Sequence, residues 1–135
     1  MRPIGQVAVD EVRSEETMKY LCLVYHETSK IDALPAREPD AIVGEVLAYR
    51  EELRRSGHDI ASSPLQPVEM ATTIRMRHGK PSITDGPFAE TKERLGGFYF
   101  IEARDLNDAL RAALKMPPPR LGCIEVRQIS ELTPD

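Results

Sequence analysis

The sequence lacks several features that would each indicate a class of protein. It has no basic excess, since 22 acidic residues outnumber 18 basic ones, and the net charge of -4 argues against nucleic-acid binding through a basic surface. It has no apolar run approaching the roughly 20 residues that span a bilayer. Its N-terminus also lacks the basic-then-apolar pattern of a secretory signal. We therefore expect a cytoplasmic protein that binds neither nucleic acid nor membranes.

Cysteine and histidine are scarce as well. The two cysteines, Cys22 and Cys123, lie in apolar stretches, no CxxC motif is present, and the three histidines are scattered. Structural metal sites need clustered Cys and His ligands, so we predict no metal site and no cofactor. We expect both cysteines to be buried, reduced thiols.

The sequence has the composition of one soluble globular domain. Its 135 residues, 41% hydrophobic and 30% charged, fit a single core. Residues 1–17 are polar and have no sustained apolar period, so we expect this N-terminal extension to be disordered or not native, with Met18 as the true start. We predict one domain over residues 18–130 and a C-terminal tail over residues 131–135.

Hydrophobic periodicity predicts two helices and six strands. The first helix starts near Asp40 and ends at Gly57, and the second has Asp105 as its N-cap. The first strand is an almost continuous β-favouring run, so we expect it to be central and buried on both faces. The predicted strands are residues 19–25, 58–65, 71–77, 82–84, 98–102 and 123–129.

The order of these elements predicts the fold class. A βα unit, an inserted β-hairpin and a βαβ unit over one antiparallel sheet indicate an α+β, ferredoxin-like sandwich. Both helices would cover one face of the sheet and leave the other uncovered. Small chains commonly cover such a face with a second copy, so we expect a homodimer.

The most unusual segment is the loop Asp85-Gly86-Pro87-Phe88-Ala89-Glu90-Thr91-Lys92-Glu93, called the DGPF loop below. Its Asp-Gly pair is a turn signal, and Phe88 lies among polar residues, where it either fills a hole in the core or contacts a ligand. Carboxylates and a lysine that converge in a cleft can bind a polar substrate or tune a general base. The alternative is a purely structural connection.

Three side chains outside the loop are further candidates. His26 ends the first strand beside Glu27, and a histidine with a neighbouring carboxylate can act as an acid or a base near neutral pH. Arg75 shares a strand face with Arg77, and the two could hold an anion. Tyr25 is a core or pocket-wall candidate. A partly exposed histidine and a solvated strand face are the alternatives.

The DGPF loop, followed by Leu95-Gly96-Gly97-Phe98, resembles the signature of the YCII-related proteins of the DGPF type. Met18-Lys19-Tyr20-Leu21 and Ala71-Thr72-Thr73-Ile74-Arg75 also fit that family, so the resemblance extends from about Met18 to Ile129. It implies a dimeric α+β barrel of ferredoxin-like chains, with a pocket partly lined by the DGPF loop.

The resemblance also bears on catalysis. Some YCII relatives are thought to use a His/Asp pair in lyase-like chemistry on aromatic substrates, with the histidine on the first helix. This chain has no histidine in its first predicted helix, and the matching region from Val46 to Tyr49 is apolar. Asp85 could correspond to the acidic partner, and His26 could substitute for the missing histidine.

The sequence therefore predicts a small cytoplasmic domain that binds a polar or aromatic small molecule. The first alternative is a lyase- or isomerase-like enzyme with Asp85 and His26 as its catalytic residues. The second is a non-catalytic regulatory partner of a sigma factor, because many DGPF-type genes lie beside genes for extracytoplasmic sigma factors. The candidate ligand-binding residues are Phe88, Glu90, Lys92, Arg75 and Tyr25.

Overall fold

The computed structural model describes residues 17–35, 38–117 and 122–132. The predictions for residues 1–16 and 133–135 lie outside these described residues. Within them the chain forms a mixed α+β structure. The strands are β1 (Met18–Glu27), β2 (Asp59–Pro64), β3 (Thr72–Arg77), β4 (Lys80–Asp85), β5 (Glu93–Ala103) and β6 (Gly122–Gln128), and the helices are α1 (Thr28–Asp32), α2 (Glu38–Ser56) and α3 (Leu106–Ala113).

Four of the strands form one antiparallel sheet in the order β2-β5-β1-β6. The predicted central position of β1 is confirmed, because β5 pairs along one side and β6 along the other. Cys22 and Val24 are buried, whereas Leu21 and Leu23, which point to the opposite face, are only half-buried. The prediction that β1 is buried on both faces is therefore wrong for the single chain.

Helices α2 and α3 share the buried face of the sheet, where their apolar side chains form the core. The Tyr49 hydroxyl of α2 donates a hydrogen bond of 2.6 Å to the carbonyl oxygen of Ala112, which ties the two helices together. The ring of Tyr49 also meets the ring of Tyr99 edge to face, with centroids 5.4 Å apart. This core fixes the orientation of α2 over the sheet.

Each predicted helix has one end where its capping residue indicated it, the N-terminus of α3 and the C-terminus of α2. The Asp105 side chain accepts a hydrogen bond of 2.8 Å from the Asp108 N–H, so its predicted N-cap role is confirmed. Gly57 follows α2 with φ 83°, a backbone angle that glycine adopts without steric cost.

Strands β3 and β4 form a separate two-stranded sheet, as the predicted hairpin requires. Its turn is made by His78 and Gly79, which both have positive φ angles of 51° and 76°. Between β2 and β3, Val68–Met70 forms a short 3-10 turn. The hairpin therefore projects from the main sheet and presents the DGPF loop at its open end.

Two further predictions need correction, and one helix was not predicted. Cys123 is exposed rather than buried, because it lies on the outer face of the edge strand β6. Strand β5 begins at Glu93, so the last residue of the DGPF loop already belongs to the sheet. Helix α1 was not predicted, since five polar-rich residues carry no apolar period.

Among the described helices, none has both the length and the apolar character needed to cross a bilayer.

Candidate functional site

The DGPF loop leaves β4 through a turn that needs glycine. Gly86 has φ 99°, and its N–H donates a hydrogen bond of 2.7 Å to the carbonyl oxygen of Ala71. The Thr73 hydroxyl donates a bond of the same length to the Gly86 carbonyl. The start of β3 therefore holds the turn from two sides.

Arg75 holds the next part of the same loop. Its Nη2 donates a hydrogen bond of 2.7 Å to the carbonyl oxygen of Phe88. The Phe88 side chain itself points outward and is 73% exposed. Arg75 thus supports the loop backbone, and its role as a ligand-binding residue stays a prediction.

A cavity of about 600 Å³, called the loop cleft below, lies between the DGPF loop and the body of the domain. Its three walls come from the loop, from the segment that contains the 3-10 turn, and from the edges of β1 and β5. Its lining residues include Tyr25, Met70, Thr73, Phe88, Ala89, Glu93, Arg94 and Leu95. Two of the predicted ligand-binding residues, Tyr25 and Phe88, therefore line one cavity.

Arg94 is the cation of the loop cleft. Its Nη1 lies 3.5 Å from the Glu69 carboxylate, and its Nε donates a hydrogen bond of 3.4 Å to the Thr91 carbonyl. The Glu69 side chain is largely exposed, so this ion pair is weak and a ligand anion can compete with it. Sequence reasoning missed Arg94, although its position directly after the DGPF loop was a usable signal.

Tyr25 supplies a hydroxyl to the same cleft. Burial raises the pKa of this phenol, and the charge of Glu125 raises it further. Its hydroxyl is also 3.5 Å from the Glu125 carboxylate, to which it donates a hydrogen bond. Tyr25 therefore remains a neutral hydrogen-bond donor at neutral pH.

His26 lies in a different cavity, called the helix cavity below, which is formed by α2 and the buried face of the sheet. Its volume is about 290 Å³, and its walls are mainly apolar. Burial lowers the pKa of His26, which favours the neutral imidazole. Its lining residues include Val24, His26, Val46, Arg50, Ser63, Gly96, Gly97 and Phe98.

The acidic residues of the DGPF loop are not gathered around His26. Asp85 is exposed and lines neither the loop cleft nor the helix cavity, and its side chain forms no hydrogen bond or ion pair with the described residues. Glu90 is also exposed, and the Lys92 ammonium lies 3.9 Å from the Glu27 carboxylate. Since Asp85 and His26 do not share a cavity, their use as an acid–base pair stays a prediction without geometric support.

A polar cluster outside both cavities lies at the C-terminal end of α2. The His58 Nδ1 is 2.7 Å from the Ser56 hydroxyl, and its Nε2 is 3.2 Å from both carboxylate oxygens of Asp108. The Ser56 hydroxyl also bonds the Leu53 carbonyl at 3.0 Å, as a side chain at a helix C-terminus often does. This Ser–His–Asp contact links the last residue of α2, the residue before β2 and the first turn of α3.

No group of three or more His, Cys, Asp or Glu side chains converges as a metal site in the part of the chain that the structure describes.

Comparison with known proteins identifies relatives over almost the whole domain. The family profile described as a YCII-related domain matches residues 18–133. The uncharacterized protein R00369 of Rhizobium meliloti (strain 1021) is 34% identical over 119 residues. That alignment covers 87% of this chain and 96% of the relative.

Proposed function

This chain belongs to the YCII-related domain family, and from that premise we propose that it binds a small aromatic carboxylate in the loop cleft. The observation that carries the proposal is the position of Arg94, a cation within a mainly apolar cavity of about 600 Å³. Ligand sites commonly combine apolar walls with a few polar groups that fix orientation.

The chemistry of the walls supports an aromatic ligand. Phe88 and Met70 line the cleft, and their side chains are 73% and 68% exposed. Exposed large apolar side chains at a cavity are typical of binding surfaces, and both phenyl rings and thioethers pack well on aromatic rings. An aromatic ligand would cover these side chains.

The polar groups support a carboxylate on that ligand. A guanidinium binds a carboxylate through two parallel hydrogen bonds, which are stronger than bonds between neutral groups. Arg94 now has a weak surface ion pair with Glu69 and a long hydrogen bond of 3.4 Å to the Thr91 carbonyl, so a ligand carboxylate has little to displace. The Tyr25 hydroxyl, whose one proton is now donated to Glu125 at 3.5 Å, could donate it to the ligand carboxylate instead.

Phenylacetate and its neutral analogue phenylacetamide provide the test, with binding followed residue by residue by NMR. Phenylacetate is expected to shift the amide signals of Thr73, Ala89 and Leu95. Arg94→Gln should weaken phenylacetate binding about tenfold, because it removes the charged hydrogen bonds but keeps a polar side chain. Binding of phenylacetamide should change little.

Arg77→Gln is the matched control, since Arg77 is exposed on β3 and outside the cleft. Phenylacetate affinity should be the same in this variant as in the wild type. Equal losses in Arg94→Gln and Arg77→Gln, or no shifts at the three cleft amides, would refute the proposal.

We infer further that the fold is a ferredoxin-like sandwich with the β3–β4 hairpin inserted between β2 and β5. The strand order β2-β5-β1-β6 and the position of α2 and α3 on one face support this inference. The opposite face carries the half-buried apolar side chains Leu21, Leu23, Phe98 and Phe100. We propose that a second copy covers this face and completes a dimeric α+β barrel.

Light scattering after size exclusion should therefore give about twice the chain mass of 15.1 kDa at micromolar concentration. Leu23→Glu should convert the dimer to a monomer, because it puts a charge in the centre of the apolar face. Leu114→Glu, at the exposed C-cap that follows α3, is the matched control and should remain dimeric. A wild-type mass of 15.1 kDa would contradict the dimer.

A further inference from the structure

The polar cluster at the C-terminal end of α2 has the order of contacts found in a catalytic triad. The Ser56 hydroxyl is 2.7 Å from Nδ1 of His58, and Nε2 of the same ring is 3.2 Å from both carboxylate oxygens of Asp108. A hydroxyl, an imidazole and a carboxylate in this order can activate a serine as a nucleophile. Such sites are recognised by their geometry and by the role of each group, and not by the order of the residues in the chain.

The surroundings of the imidazole determine which of its nitrogens carries the proton. Asp108 also accepts a hydrogen bond of 3.0 Å from the Arg104 N–H, which holds its carboxylate in place. Burial by itself raises the pKa of Asp108, but the hydrogen bonds from Arg104 and His58 outweigh it, so the carboxylate is ionised at neutral pH. An ionised carboxylate only accepts hydrogen bonds. The neutral imidazole therefore carries its proton on Nε2, and Nδ1 is free to accept a proton from Ser56.

The Ser56 hydroxyl has one proton and two acceptors within reach. The Leu53 carbonyl oxygen is 3.0 Å from Oγ, and Nδ1 of His58 is 2.7 Å from it. A hydroxyl proton rotates freely about the C–O bond, so it can point to the imidazole without movement of the heavy atoms. Ser56 is also exposed, and a substrate can therefore approach it.

A cavity of about 390 Å³, called the polar cleft below, is lined by all three members of the cluster. Arg111 and Lys115 also line it, and their ion pairs with Asp108 and Glu52, at 3.6 and 3.8 Å, are weak because the two cations are largely exposed. Cations in such a cleft can stabilise the negative charge that develops on a carbonyl oxygen under attack. The remaining walls are partly apolar and include Tyr49, Leu53, Ala112 and Leu114.

We propose that the polar cleft is a hydrolytic site for small carboxylic esters, with Ser56 as the nucleophile and His58 as the general base. Ser56 Oγ bonds to the carbonyl carbon of the ester, and Nδ1 of His58 takes the hydroxyl proton. The bond from that carbon to the alcohol oxygen breaks, the oxygen receives the proton from His58, and the acyl group stays on Oγ. Water then attacks the acyl group with the same imidazole as base, which releases the carboxylic acid and restores the serine.

The role of Asp108 in this reaction is to orient the His58 ring and to stabilise it when it is protonated. The polar cleft and the loop cleft have no lining residue in common, so this activity is independent of the ligand binding proposed above.

The substrate probe is 4-nitrophenyl acetate, whose hydrolysis releases coloured 4-nitrophenolate. The wild type is expected to hydrolyse it, and Ser56→Ala should lower the rate about a hundredfold because the nucleophile is lost. Ser29→Ala is the matched control. Ser29 is also an exposed serine, but its hydroxyl bonds the Glu27 carboxylate at 3.0 Å, and its replacement should leave the rate unchanged.

Phenylmethanesulfonyl fluoride tests the nucleophile in the unaltered protein. An activated serine displaces fluoride from this reagent and keeps the sulfonyl group on its oxygen. Mass spectrometry of peptides should locate the group on Ser56, and hydrolysis of 4-nitrophenyl acetate should fall in proportion to the labelled fraction. His58→Gln should slow both reactions about a hundredfold, because it removes the general base. The label in the wild type tests the proposal even if His58→Gln does not fold.

Three results would overturn the hydrolytic site. The first is hydrolysis of 4-nitrophenyl acetate that is no faster with the wild type than in buffer. The second is a Ser56→Ala protein that is as active as the wild type or as Ser29→Ala. The third is a sulfonyl group that is absent or is attached to a residue other than Ser56.

Discussion

Replacing Asp108 with alanine is expected to lower the free energy of unfolding by about 3 kcal/mol. The Asp108 side chain is buried and bonds His58 Nε2 at 3.2 Å and the Arg104 N–H at 3.0 Å. Alanine removes the acceptor for both and leaves Nε2 of the partly buried His58 unpaired, while Nδ1 keeps its contact with the Ser56 hydroxyl. Urea denaturation monitored by circular dichroism measures the loss.

The Asp108 carboxylate should make the stability of the protein depend on pH in the acid range. Burial by itself raises the pKa of Asp108, but hydrogen bonds from Arg104 and His58, together with their charges, outweigh it and hold the pKa below the ordinary 3.8. A carboxylate whose pKa is lower in the folded state stabilises the protein above its unfolded pKa. That contribution disappears as the pH falls through the folded value.

Asp108→Asn isolates this effect, because the amide is similar in shape and does not titrate. The stability difference between the wild type and Asp108→Asn should stay constant as the pH is lowered toward 3.8, and should shrink below it. Asp32→Ala, at an exposed site in α1, is the control and should change stability by no more than about 0.5 kcal/mol. If Asp108→Ala costs no more than Asp32→Ala, the cluster has no structural role.

The strands and helices were predictable because their signals are local. A β-favouring run or a helix-capping residue determines the backbone only within a few residues along the chain. The structure confirms the strand after Met18 and the helix ends at Asp105 and Gly57 that these signals indicated. Cys123 was not predictable in this way. Its neighbours are apolar, but Cys123 points to the face of the sheet that the helices do not cover, and which face is covered is a property of the whole fold.

The candidate site was only partly predictable for the same reason. The unusual composition of the DGPF loop made it recognisable in the sequence, and Phe88 does line a cavity. Asp85 attracted attention as a carboxylate in an unusual loop, but the chain places it outside both cavities. The helix cavity was missed, since its walls come from segments that are far apart in sequence. Arg94 was missed although it directly follows the DGPF loop. The sigma-factor association stays a prediction, because it concerns a second protein.

Gly122→Ala is expected to cost about 3 kcal/mol or more of unfolding free energy. A Cβ atom at this position would overlap the carbonyl oxygen of Tyr25, and would lie 2.9 Å from the Cα of His26. Because the obstacle is backbone rather than the end of a flexible side chain, the overlap can be relieved only by separating β6 from β1. Thermal and urea unfolding measure the cost.

Gly44→Ala is also a glycine-to-alanine substitution, but we expect it to raise the free energy of unfolding. Nothing lies within 4 Å of a Cβ at Gly44, which is inside α2 and exposed, so alanine should stabilise the protein by about 1 kcal/mol through its helix propensity. Gly122 instead faces Tyr25 and His26, which line the loop cleft and the helix cavity. Strand separation there should therefore weaken phenylacetate binding, whereas Gly44→Ala should leave it unchanged. A Gly122→Ala protein as stable as the wild type would show that β6 does not pack against β1 as closely as this geometry requires.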